Sequence, residues 1–394
     1  MNATVRQFRD FFVSLRLTVV LLGLSIILIF AATLDQVNLG VWAVQQKYFQ
    51  TFFVLWKFGE VPVPIFPGGY FVGGLLFVNL IAAHVYRFKL TWRKAGIFLT
   101  HLGVILLLLG ELFSGLMQEE YNMRIEEGET KNYAESYQFY ELAITDTTDP
   151  KFDDVVVIPK ELLEKGAAIQ HPKLPFRVVP KAFFSNINLG RRSDEPTAPP
   201  SPATTGFGPN FVATPIAFNY KPDALNIPAA YVELAGPEGT LGTWLTVYIP
   251  PQMMTMPPQT FSTPDGHTWK IALRPQRAYK PYALTLLKFS HDVYAGTDIP
   301  KNFSSRIRLA TPDGRDDHEV LIYMNNPLRY AGLTFFQSGY DGDHTTVLQV
   351  VRNPGWVLPY IACILMAVGL VVQFGIHLTG FFRKRRAAAV PAAA

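Results

Sequence analysis

A single cysteine, Cys363, among 394 residues leaves no partner for an intrachain disulfide, no CxxC dithiol and no CxxCH heme-attachment site. The chain is therefore neither a dithiol oxidoreductase nor a c-type cytochrome. It also has no nucleophile elbow, phosphate-cradling glycine loop or HExxH, so hydrolytic and nucleotide chemistry lack their usual residues. Charge is sparse and unevenly spread: residues 118–355 hold 27 acids against 22 bases, and the rest of the chain holds 4 acids against 13 bases. Bases gathered at the flanks of apolar runs orient helices in a membrane, and no nucleic-acid partner is expected from them. A small-residue cleavage site is missing behind the first apolar run, which reads as a retained anchor rather than a removable signal peptide.

Hydrophobic residues, by contrast, make up 49% of the chain, and they are clumped. A helix needs about 17 to 25 apolar residues to cross a hydrocarbon core of roughly 30 Å. Runs at 17–34, 69–85, 95–117 and 356–382 meet that requirement. Arg6, Arg9 and Arg16 lie before the first run, Arg87, Lys89, Arg93 and Lys94 lie between the second and third, and Arg383, Lys384, Arg385 and Arg386 follow the last. Excess Lys and Arg stays on the cytoplasmic side. The expected topology is a multi-pass protein of the bacterial inner membrane with both termini cytoplasmic and a large domain outside.

Five parts follow from this pattern: an N-terminal anchor helix (1–35), an external interfacial helix and loop (36–68), a transmembrane hairpin (69–117), an extracytoplasmic β-rich domain (118–355), and a C-terminal span with a basic tail (356–394). In the second part Val41, Val44, Tyr48, Phe52 and Leu55 recur at steps of three and four, the period of one helix face. With Trp42, Trp56, Lys47 and Lys57 beside them, they predict a helix lying on the outer leaflet or, alternatively, one that binds a partner. The Pro-rich stretch 61–68 then turns the chain back into the bilayer. The Ala-rich tail after Arg386 is read as disordered.

The fourth part has short alternating runs, among them 139–144, 243–249 and 346–351, separated by turn clusters, and this predicts antiparallel strands. Pro264-Asp265-Gly266 and Pro312-Asp313-Gly314 mark two hairpins. The Pro/Ser/Thr/Gly-rich stretch Glu195 to Asn210 reads as a long exposed loop dividing the domain into two lobes. The predicted fold class is a membrane protein with four transmembrane α-helices and a large β-rich external domain.

His84, His101 and His377 all lie inside apolar runs, close to basic clusters. Counted at about 1.5 Å per residue from those clusters, the three imidazoles share one depth near the cytoplasmic face to within about one helical turn. A histidine inside a span is a functional candidate by default. Neutral imidazole ligates heme iron, and histidines of facing helices can hold a heme within a bundle. The plainer reading is an interfacial histidine bonded to a carbonyl or a headgroup. Glu111, the one acid inside a span, could relay protons, but reads better as reaching the outer interface or a partner helix. Outside, His171, His267, His291, His318 and His344 share no ligand spacing. Asp313, Asp316, Asp317, Asp341 and Asp343 read as solvated turns rather than a calcium loop, and Met253, Met254 and Met256 as packing.

Four pieces in order resemble the ResB family of the system II cytochrome c maturation apparatus, also called the CcsB family. They are 14–22 opening the first span, Asn79-Leu80 through Arg87 closing the second, Gly96 with Thr100-His101-Leu102-Gly103 in the third, and Asn326 to Ser338 leading toward the last. The resemblance implies an accessory subunit, not completing the ligation by itself, that works with a CcsA/ResC-type membrane protein. Together they would move heme outward for attachment to apocytochrome c. It assigns His101 as the axial ligand of the heme iron, with heme b held transiently. His84 and His377 remain intrachain candidates for the second position beside one from the partner. Two other readings stay open: a membrane b-type cytochrome using His84 with His101 or His377, and a structural anchor whose β domain binds an external protein.

Overall fold

The computed structural model describes residues 3–388 apart from 60, 195–196, 220–224, 238, 252, 255 and 297–299. Two compact units emerge, a helical one from the chain's ends, up to Glu119 and from Arg352 onward, and a β unit from the middle.

The helical unit contains α1 (Ala3–Phe12), α2 (Leu15–Val44), α3 (Gly69–Tyr86) and α4 (Ala95–Met117), and closes with α6 (Val357–Ala388). Of these, α2, α3, α4 and α6 are long and apolar enough to cross a membrane. They are apolar on every side, as a helix surrounded by lipid must be, and large side chains such as Ile26, Phe30, Val371 and Phe374 stand exposed. The Ala-rich tail beyond Ala388 lies outside the described residues.

The segment read as an interfacial helix is built differently. α2 runs on past residue 35 and kinks at Gly40, whose φ of 74° is open to glycine and strained for other residues. A second helical stretch follows and ends in a wide turn at Gln45–Phe49. Val44 and Tyr48 then fold back on Leu28, Ala32 and Val54 to make a small core. Phe52 and Leu55 leave the helical face: the chain becomes the hairpin β1 (Phe53–Phe58) and β2 (Val61–Pro67), so the Pro-rich stretch is a strand before it re-enters α3. Prolines sit there without penalty because a two-stranded ribbon has outer edges needing no N–H.

In the β unit the strands are β3 (Glu119–Glu126), β4 (Thr130–Asp146), β5 (Asp154–Pro159), β6 (Arg177–Phe184), β7 (Ile187–Arg191), β8 (Phe211–Pro215), β9 (Ala229–Gly236), β10 (Gly239–Val247), β11 (Gln259–Ser262), β12 (Thr268–Val293), β13 (Pro300–Ala310), β14 (Asp317–Tyr323), β15 (Leu328–Tyr330), β16 (Leu333–Tyr340) and β17 (Thr345–Arg352). A short helix, α5 (Lys160–Lys165), follows β5. The main sheet has the order β14-β13-β12-β4-β3-β17-β16-β15, with β11 and β5 paired alongside β12 and β4; β10-β9-β6 and β7-β8 form smaller sheets. Both expected hairpins form, with Phe261 opposite Trp269 and Ala310 opposite Asp317.

Two cores lie along one strand pair. The first half of β12 carries Trp269, Ile271 and Leu273 into a core with Leu142, Ile144, Phe176 and Val232. Its second half carries Leu284 and Leu286 into another with Met123, Ile307, Phe335 and Val350. Between them the β12–β4 register slips at Pro275/Arg277 and again at Tyr279/Leu284, where Pro275 and Pro281 cannot donate to a ladder. A third core, around Ile187, Ala203, Tyr231 and Leu245, lies against β9 and β10. The stretch Glu195 to Asn210, of which Glu195 and Pro196 lie outside the described residues, is irregular and exposed or half-buried over most of its length, as expected of a loop, but Ala203 and Gly208 are buried and Thr204 bonds Thr243 on β10.

Candidate functional site

α4 is gripped on one face by glycines. Gly96, Gly103 and Gly110 recur every seven residues and are buried against α6. A Cβ on Gly103 would sit 2.7 Å from the carbonyl oxygen of Ala362, and one on Gly369 would sit 2.7 Å from the backbone nitrogen of Thr100, so only glycine permits the approach. At 100° per residue, His101 lies about 200° from Gly103, on nearly the opposite side. It faces α3.

There it meets His84. The His101 Nδ1 lies 3.0 Å from the His84 Nε2, and the two rings stand edge to face with centroids 4.8 Å apart. The other nitrogen of His84, Nδ1, lies 2.8 Å from the carbonyl oxygen of Leu80, one turn back on α3. Phe88 stacks on His84, and Phe98 of α4 stands beside both aromatic rings. A carbonyl only accepts, so His84 donates from Nδ1; in its neutral form it can then only accept at Nε2, and His101 donates to it from Nδ1. The remaining nitrogen, Nε2 of His101, has no hydrogen-bond partner among the described residues and keeps its lone pair. An iron between the two facing nitrogens would need a gap of about 4 Å, twice a metal–imidazole bond. The pair as built offers one ligand nitrogen rather than two.

His377 is elsewhere. Gly96 and Gly103 set the α4–α6 register, and it puts His101 level with the Met366–Gly369 turn of α6. His377 lies about ten residues further along, roughly 15 Å by helical rise, and bonds Gln373 of its own helix at 2.9 Å. The shared depth expected from counting is thus met by two histidines and missed by the third, because α6 runs on as helix through its basic cluster to Ala388. Glu111 is exposed on α4.

Asn79, 2% exposed inside α3, is the anchor counting passed over. Its amide nitrogen donates to the carbonyls of Phe12 at 2.7 Å and Ser14 at 3.2 Å, and its oxygen accepts from Thr18 at 2.6 Å. An amide in an apolar run was the available signal. It ties the start of α2 to the half of α3 that carries His84. Gln373 donates to the carbonyl of Arg93 at 3.4 Å, so the N-terminal, 87–94 and C-terminal basic clusters all lie at one end of this unit.

Residues 259–347 match the ResB-like family. Over 303 residues, 76% of its length, the chain is 25% identical to Protein NrfI of Wolinella succinogenes, and it spans 29% of that longer protein. The matched segment runs from β11 into β17.

Within this ResB-like segment the turn between Tyr330 and Leu333 has Ala331 and Gly332 at φ of 49° and 76°, the left-handed pair that a tight hairpin demands. Toward the other end of β16, Ser305, Gln337 and Thr346 form a network with bonds of 2.6 to 2.9 Å, in which Ser305 and Thr346 are buried. Four of the five histidines of the β unit have side-chain hydrogen bonds: His267 to Asp146 at 2.7 Å, His291 to Asp343 at 3.1 Å, His344 to Glu127 at 3.0 Å and His171 to the amide of Lys173. The Asp146 carboxylate, hydrogen-bonded to the His267 imidazole, holds it above the usual histidine range. Among the described residues no group of three or more His, Cys, Asp or Glu is placed to hold a metal ion.

Proposed function

We propose that this ResB-like chain acts in cytochrome c biogenesis as a heme-handling membrane subunit, with His101 as the axial ligand that holds heme in the bilayer on its way outward. The observation carrying the reading is the His101 Nε2 lone pair, which has no hydrogen-bond partner among the described residues, on a helix long and apolar enough to cross a membrane. Neutral imidazole of this kind suits heme iron. Heme is cargo here, to be passed to the thiols of an apocytochrome c.

The basic clusters gathered at one end support a bacterial inner-membrane topology with both termini cytoplasmic, which sets His84 and His101 toward the cytoplasmic leaflet. In this reading the chain works with a second membrane protein of the CcsA/ResC type. That partner supplies the second axial position, because His84 is engaged by His101. The β unit serves as the docking platform for the partner and the apocytochrome.

The test is spectroscopic. The chain is purified with its partner, and reduced spectra of wild type and His101→Ala are compared. Loss of the b-type heme bands together with lower cytochrome c yield is expected; unchanged bands and yield remove His101 from the mechanism.

A further inference from the structure

We infer that His84 is a positioning residue, which fixes the tautomer and aim of His101 so that its Nε2, and not its Nδ1, is presented to iron. The inference deepens the reading of His101 as the heme ligand and rests on it. Three observations carry it. First, the Leu80 carbonyl accepts from Nδ1 of His84 at 2.8 Å, which obliges that nitrogen to carry hydrogen. Second, His84 Nε2 faces His101 Nδ1 at 3.0 Å, with the rings edge to face, so the lone pair of one points at the N–H of the other. Third, Phe88 stacks on His84 with ring centroids 5.2 Å apart, and α3 is pinned below it by the three bonds of Asn79. The accepting imidazole is itself held, as a second-layer partner must be to orient a ligand.

The direction of the chain is what matters. Which ring nitrogen ligates a metal is set by the bond the other makes. Here the order runs from the Leu80 carbonyl through His84 to His101 and leaves a lone pair at the far end. Because the acceptor is a neutral imidazole, unlike a carboxylate, it adds no fixed negative charge to an apolar span, where one is expensive. The same bond consumes the His84 lone pair and excludes it as a ligand in this arrangement.

The test uses the full chain in nanodiscs with selectively 15N-labelled histidine. In the heme-free protein the His101 signals, assigned by their disappearance in His101→Ala, are expected to report a protonated Nδ1 and an unprotonated Nε2. In His84→Ala the proton moves to a mixture of the two nitrogens. Hemin titration read at the Soret band should show His84→Ala weakened about 10- to 100-fold, the usual cost of losing a ligand's outer partner. His84→Gln, whose amide oxygen reaches about as far as Nε2, should recover most of the affinity. An Nε2-protonated His101 in wild type overturns the inference, as does undiminished hemin binding by His84→Ala. Loss in His84→Gln as complete as in His101→Ala makes His84 a ligand and also overturns it. If His101→Ala itself binds hemin like wild type, the ligand reading fails and the inference falls with it; the nitrogen signals separate that case from the others.

Discussion

In the β unit Leu284, Leu286, Ile307, Leu309, Phe335 and Val350 are all buried in one core, whereas in the helical unit whole faces of α2, α3 and α6 present Ile, Val and Phe outward. A buried Leu or Phe taken from water stabilises by about 1.5–3 kcal/mol. The same side chain facing lipid in both the assembled and the separated helix contributes almost nothing to their association. The helical unit therefore coheres through close approach at glycines and a few polar bonds, Asn79 to Phe12, Ser14 and Thr18 among them. The lesson is that substitutions of one size should act very differently in the two units.

The largest effect belongs to the β core. Phe335→Ala, at a fully buried position, is expected to lower the unfolding free energy by about 3–5 kcal/mol, measured by urea titration of the detergent-solubilised chain at the strand circular-dichroism band. Phe374→Ala on the exposed surface of α6 should change the same curve by less than about 0.5 kcal/mol. In the helical unit size matters in the opposite sense. Gly103→Leu forces atoms into the space of Ala362 and Met366, and overpacking of this kind costs about 1–3 kcal/mol; Gly73→Leu, with open space around its Cα, is expected to be silent. Cysteine cross-linking between α4 and α6 reads the difference, and equal yields in both variants would end the claim that glycines set this interface. Asn79→Leu follows at about 1–2 kcal/mol, since interhelical hydrogen bonds in bilayers are worth little singly and three are lost together; a thermal shift in nanodiscs checks it.

Much of this contrast was legible beforehand. A span must be apolar along its whole length, so the four runs declare themselves, and Pro-Asp-Gly between alternating residues declares a hairpin at Phe261/Trp269. What stayed hidden was whatever depends on a neighbour. That Gly40 kinks α2 and returns Val44 and Tyr48 to Leu28 depends on a packing partner 16 residues earlier. Pro275 and Pro281 interrupt the alternation along β12, yet β4 pairs along both halves. His84 and His101 were placed at one height by rise per residue, but which nitrogens face each other rests on the rotation of two helices. His377 was misplaced because its distance to an arginine cluster is a distance along its own helix, and only the Gly96 and Gly103 contacts show where α4 stands beside it.

The smallest expected effect sharpens the same comparison at the surface of the β unit, where a charged pair meets water. His267 Nδ1 lies 2.7 Å from Asp146, and the hydrogen bond to that carboxylate holds the imidazole above its usual range near 6.5. A group whose folded-state value is raised binds its proton more tightly folded than unfolded. Its contribution to stability is thus complete below the unfolded value and is lost as pH rises through the folded one. Both partners reach solvent, so the effect on stability should be slight and screened by salt, but the titration itself is directly observable. In 15N-histidine spectra of the full chain the His267 midpoint should lie above 6.5, and Asp146→Asn should bring it back down. A midpoint at or below 6.5 in wild type would mean that the pair is not formed in solution, and that even this short contact yields to water.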